Sequence, residues 1–185
     1  RARNNDVHEQ SFKVDKETKI QIYAIGEMSN SDKEFADYGY IINAVSGETV
    51  WQMTYRNTEH AGGADKNRMF DDIVALPAGT YTVFYMTDDS HAYRNWNSSA
   101  PFDPESYGLA IYPVGKTTPA GFKLVNEQEL YQGTSVLAKI TRVGDSERRR
   151  AKFKLSKKAV INVYAIGEGT DGEMYDYAYI VNLDT

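Results

Sequence analysis

The feature that most constrains this chain is an internal repeat. Residues 12–27 read FKVDKETKIQIYAIGE, and residues 153–168 read FKLSKKAVINVYAIGE, an ungapped match at an offset of 141 residues. A second stretch, ADYGYIIN at 36–43, returns as YDYAYIVN at 175–182, now at an offset of 139. The loop between the two matched segments is therefore two residues shorter in the second copy. Self-similarity at a fixed period marks a unit of structure used more than once, and a period near 140 residues is the size of a whole domain. The expected division is a first copy over 1–113, a linker with a connecting strand over 114–145, and a partial second copy over 146–185. Forty residues rarely hold a core alone. Three readings of the partial copy stay open: the visible part of a second domain, a truncation, or a segment that pairs against the first copy.

Periodicity predicts strands. His8–Val14 opens the first copy. Lys19–Ile25 alternates, with Ile20, Ile22 and Ala24 on one face and Gln21 and Tyr23 on the other. Further strands are expected over 37–44, 49–54, 69–75, 80–87 and 108–113, and one more over 135–143. Leu76-Pro77-Ala78-Gly79 has the residues of a tight turn. Many short strands with turn signals and no amphipathic helix pattern predict an all-β fold, an antiparallel β-sandwich or jelly roll, with the first three strands of a second copy at the end.

The connections are uneven. Those after the third and fifth strands are short, while 27–36, 55–68 and 88–107 are long. If successive strands run antiparallel, alternate connections share one end of the sheet, so all three long loops fall on one rim. Loops gathered at one end of a sandwich are a usual place for a binding site.

Composition narrows the classes. The formal net charge is -5 with 14 tyrosines and no cysteine. No basic footprint argues for nucleic acid, and disulfides, thiolate metal sites and cysteine nucleophiles are excluded. No apolar run reaches the length of a membrane span. Arg1–Asn5 has no signal-peptide pattern and reads as a cut within a longer chain. There is no Gly-x-Ser-x-Gly elbow, and Gly62-Gly63 precedes no helix, so packed backbone at the rim accounts for it better than a phosphate loop.

Several phrases taken together, FKVDKETKIQIYAIGE, HAGGADKNR (60–68), LPAGTYTVFYMTDDSH (76–91) and WNSSAPFDPESYGLAIY (96–112), resemble the pre-peptidase C-terminal type of β-sandwich. The resemblance covers about residues 8–113 and restarts at 152. It implies a non-catalytic accessory domain of an exported bacterial protein, secreted or at the cell surface, that assists anchoring, secretion or binding of extracellular polymers. The long DDSH…WN…DP…YG loop departs from the plain form.

Three constellations could carry chemistry at the rim. Asp88, Asp89 and His91, with Asp103 and Glu105 further along and Asp71 and Asp72 nearby, offer oxygen ligands that would suit calcium; the plainer reading is that aspartates cap turns. His60 and His91 with Asp88 or Asp89 would suit a transition metal, or they are loop histidines held by hydrogen bonds. Trp96, Tyr93 and Tyr107, with Asn95, Asn97 and His60, would suit a sugar ring and its hydroxyls, or Trp96 pins the loop to the domain while Trp51 lies in the core. The expected function is a non-enzymatic repeat module for adhesion, assembly or spacing, whose partners are further copies of the domain or an extracellular glycan. A carbohydrate-binding accessory domain and a metal-dependent hydrolase are the alternatives.

Overall fold

The computed structural model describes residues 1–29, 31–115, 117–126, 129, 136–161, 163–170 and 172–183. The chain divides into two compact units, Arg1–Ser135 and Val136–Thr185. No described helix is long and apolar enough to cross a membrane.

The first unit is all-β and antiparallel, as expected. Its strands are β1 (Val7–Val14), β2 (Thr18–Met28), β3 (Phe35–Asn43), β4 (Thr49–Gln52), β5 (Glu59–His60), β6 (Asn67–Leu76), β7 (Gly79–Met86), β8 (Gly108–Pro113) and β9 (Phe122–Val125). They form one nine-stranded sheet with two wings. In one wing β6 and β8 flank β2, with β5 outside β6. In the other, β7 lies between β1 and β3, with β9 outside β1 and β4 outside β3. β3 joins the wings: Phe35 and Asp37 pair with Met28 and Glu27 of β2, while Tyr38–Asn43 pair with β7.

The alternation read in β2 is what the core uses. Ile20, Ile22 and Ala24 are buried, and they meet Phe70 and Leu76 of β6 and Phe12, Val14, Ile41, Trp51 and Tyr81 of the other wing in one cluster. Phe12 stacks on Tyr81 and on Phe122 of β9. Each aliphatic or aromatic side chain so buried contributes roughly 1.5–3 kcal/mol, so a core drawing on both wings holds them together. From Ile25 to Met28 every residue of β2 is buried, where the strand runs into the rim.

Three expectations change. The segment read as a linker contributes β9, whose Phe122–Val125 pairs with Ser11–Val14, so the first sheet runs past residue 113. The run is too short, and too close to Pro119 and Gly121, to announce itself by period. The strand expected over 135–143 does not form at 136–143, and Ser135 lies outside the described residues. In the second unit, the repeats of β1 and β2 are not strands; the described pairing is β10 (Gly169–Thr170) with β11 (Glu173–Met174). The reason is partner supply. In the first copy β1 is held by β7 and β9, and β2 by β6 and β8. Among the described residues of the second unit no such partner strands flank these segments, and an isolated strand pair is marginal in water. Val160, Ile166 and Tyr179 are accordingly exposed.

One element of the fold is nevertheless present twice. A Cβ on Gly26 would collide with the carbonyl oxygen of Asp37, and a Cβ on Gly167 would collide with that of Asp176. Both glycines let the backbone beyond the rim loop close onto the segment before it. Gly26→Ala should therefore destabilise the protein by about 3 kcal/mol, since backbone must shift. Gly47→Ala, in open space with φ of 74°, should cost about 1 kcal/mol. Urea midpoints of the two variants check the contrast.

Candidate functional site

The three long loops meet at one rim, as the strand parity requires. Met28 N–H donates to the Lys66 carbonyl, and Ala64 N–H to that of Ser99. Asp88 N–H donates to Asp37 Oδ1 at 2.8 Å. A small second core sits beneath, built from Ile25, Ala61, Ala92 and Tyr107, with Tyr23, Met69 and Trp96 packed against it.

Two polar networks fill the rim. The first centres on His91, which is fully buried with φ of 53°. Asn67, also fully buried, donates its amide to the carbonyls of Gly62 at 2.8 Å and Ser99 at 3.0 Å. That fixes Asn67 Oδ1 toward His91 Nε2 at 2.7 Å, so Nε2 carries a proton. His91 Nδ1 stands 2.9 Å from Asn97 Oδ1, which also takes Lys66 Nζ at 2.6 Å. Geometry at both nitrogens asks for a donor, while burial and the Lys66 charge hold the imidazole below its ordinary pKa. The buried Asn67 contact cannot rearrange. Asn97 Oδ1 is held by the Lys66 ammonium as well. A neutral His91 therefore keeps its proton on Nε2, where the Asn67 acceptor is fixed.

The second network is acidic. Glu27, Asp37 and Asp88 bring carboxylate oxygens within 4.8 Å of one another. Asp37 is fully buried; its Oδ2 accepts the Tyr107 hydroxyl at 2.6 Å. Glu27 is 7% exposed, and its Oε1 accepts Lys66 Nζ at 2.6 Å. Burial pushes the Asp37 carboxyl up to about 7, against the pull of Tyr107 and the Asp88 amide, with Asp88 and Glu27 adding repulsion. Burial also raises Glu27, opposed by Lys66. The Tyr85 hydroxyl, bonded to the Ile25 carbonyl at 2.6 Å, closes the inner side.

The predicted site residues divide accordingly. Tyr107 is fully buried under Asp37, and Tyr93, 8% exposed, donates its hydroxyl to Glu105. Trp96 is half-buried, packed edge-on between His91 and Tyr107 with centroids 5.2 and 5.0 Å away. It pins the loop. Asn95 and Asn97 are exposed, but Asn97 is engaged by Lys66 and His91. His60 is exposed, its Nε2 on the Ala64 carbonyl at 3.1 Å, and it does not join His91. Of the four residues expected to hold a metal, only Asp88 enters the acidic cluster. Asp89 is exposed, Asp103 takes the Tyr23 hydroxyl at 3.1 Å, and His91 is spent on the asparagines. Asp71 and Asp72 lie midway along β6, opposite Tyr23 and Ile22. Gly62 and Gly63 are packing glycines: a Cβ on the first would strike the Phe102 ring, on the second the Ala100 carbonyl.

Glu27 and Asp37 are absent from the expected site: Asp37 falls in an expected strand, and Glu27 falls at the start of the 27–36 loop, where the structure extends β2 to Met28. A signal existed: each is an acid in an otherwise apolar or aromatic run, and each recurs in the second copy, as Glu168 and Asp176. Asp176 N–H donates to the Glu168 carbonyl at 3.1 Å, which preserves their neighbourhood. The chain matches no protein-family model, no curated protein and no solved structure.

Two outcomes follow. Asn67→Ala strips partners from the buried Gly62 carbonyl and from His91 Nε2, and should destabilise the protein by about 2–4 kcal/mol in denaturant titrations. A carboxyl whose pKa is higher folded than unfolded binds more protons in the folded state between those values, so stability falls as pH rises from about 4 to about 7. Asp37 and Glu27 both act in this direction. In chelator, the urea midpoint should fall across that window, and Asp37→Asn should flatten most of the fall.

Proposed function

We propose that the chain is a non-catalytic repeat module of an exported or cell-surface bacterial protein, working in assembly and spacing. The observation that carries this reading is the recurrence of the β2–β3 closure. Gly26 with Asp37 and Gly167 with Asp176 make the same approach, the glycines in segments that align without a gap over sixteen positions and the aspartates in segments that align over eight. A chain that restarts a domain in this way is built as an array.

The way the first copy closes supports the same reading. β9, the last described strand of the unit, pairs with β1, the first. The described start and end of the first sheet therefore lie side by side at one edge. The likeness to pre-peptidase C-terminal domains supports the exported setting. The rim side chains that could have served catalysis are turned on one another: both histidines, Asn97, Tyr93 and Tyr107 have partners within the protein.

In the second unit Val160, Ile166 and Tyr179 are exposed, and exposed apolar segments of strand composition associate. Multi-angle light scattering of the full chain should give a mass above the monomer that rises with concentration, and Val160→Lys with Ile166→Lys should return it to the monomer. A strict monomer at every concentration refutes the assembly role. Turnover of a glycan, ester or peptide substrate that a rim substitution abolishes refutes the non-catalytic one.

A further inference from the structure

The acidic cluster has a property that turn-capping aspartates lack. Glu27 Oε2 is buried and has no hydrogen-bond partner, although the residue is 7% exposed. An unpaired buried carboxylate oxygen costs several kcal/mol, and Lys66 reaches only the other oxygen, Oε1. Asp88 lies on the solvent side of Glu27 and Asp37. Its Oδ1 accepts Ser90 N–H at 2.8 Å. The Asp37 oxygens each hold one donor, Asp88 N–H and the Tyr107 hydroxyl, and each keeps a lone pair.

Two further counts point to the same ligand. Three carboxylates and the Lys66 ammonium sum to a formal charge of −2, which a divalent cation neutralises. The ligand oxygens lie within 4.8 Å of one another, close enough for one ion to reach all three. Magnesium keeps most of its waters and takes one or two carboxylates, whereas calcium takes several from flexible segments. The donors are all hard oxygens, which excludes a preference for softer metals.

We infer that Glu27, Asp37 and Asp88 form a calcium site at the long-loop rim. The ion bridges β2, β3 and the loop after β7, with Glu27 Oε2 and Asp88 as its principal anionic ligands and Lys66 remaining on Glu27 Oε1. Water and rim carbonyls complete the six to eight oxygens that calcium takes. The site differs from the one expected from the sequence, sharing only Asp88 with it. It stands independently of the array reading, since it requires one folded copy only. Glu168 and Asp176 repeat two of the three ligands, while the third, Asp88, comes from the loop after β7.

Calorimetric titration of chelator-treated full chain with calcium chloride should show one saturable site, with a Kd of roughly 10⁻⁴–10⁻³ M or tighter. Calcium should also raise the melting temperature, as a ligand of the folded state does. Asp88→Asn keeps the Oδ1 acceptor for Ser90 and removes the charge; it should melt cooperatively and bind at least tenfold more weakly. Glu27→Gln should do the same, while Asp103→Asn should bind as the wild type does. The assignment is overturned by a cooperatively melting wild type with neither saturable heat nor a calcium-dependent melting shift. Asp88→Asn binding unchanged, Asp103→Asn losing the ion, or magnesium binding more tightly than calcium would each overturn it too.

Discussion

The rim is held by a buried carboxylate. Asp37 begins the part of β3 that leaves one wing of the sheet for the other, and its two oxygens take a backbone amide from the loop after β7 and a hydroxyl from the start of β8. Removing such a group from water is costly unless it is hydrogen-bonded, so the two contacts are required as much as they are stabilising. They bring together segments 51 and 70 residues away in sequence. The crossing of β3, the descent of the 88–107 loop and the burial of Tyr107 are thus one constraint. Gly26 makes it possible, because only a residue without a side chain lets the Asp37 backbone come so near β2.

Much of this arrangement can be read in the amino-acid order. The β2 alternation separates core from outer face over Ile20–Ala24, and Gly108–Pro113 forms a strand with the expected bounds. The convergence of the loops follows from counting strands, because antiparallel succession leaves no other end for them. Other features are not legible, for identifiable reasons. β5 has two residues, too few for any period. β9 is made a strand by its neighbour β1 rather than by its own composition. Expected strands at 153–168 fail in the opposite sense: propensity is present and partners are missing, which shows how far strand formation depends on pairing.

The site residues separate along the same line. Aspartates in a loop draw attention because loops carry function, so Asp89 and Asp103 were natural choices. Yet a loop aspartate has water and turn amides to satisfy it. The two acids that bear on the rim's chemistry, Glu27 and Asp37, sit in strands, where the fold removes water from them. Tyr107 and Tyr93 err in the other direction, looking like exposed stacking residues by type while both are buried, with their hydroxyls bonded to Asp37 and Glu105.

The two polar networks are not independent, because Lys66 belongs to both. Its ammonium holds Glu27 Oε1 and Asn97 Oδ1 at the same distance of 2.6 Å. Through Asn97 it competes with His91 for one oxygen, and through Glu27 it offsets part of the acidic excess. Its charge helps keep His91 neutral, which in turn suits the single donor that Asn67 demands. A second cation on the acidic side would add to the positive potential at His91 and reinforce that neutral form, while leaving the Lys66 contacts in place. The rim is therefore a coupled electrostatic unit in which one lysine adds to burial in holding the histidine side neutral and leaves the carboxylate side short of positive charge.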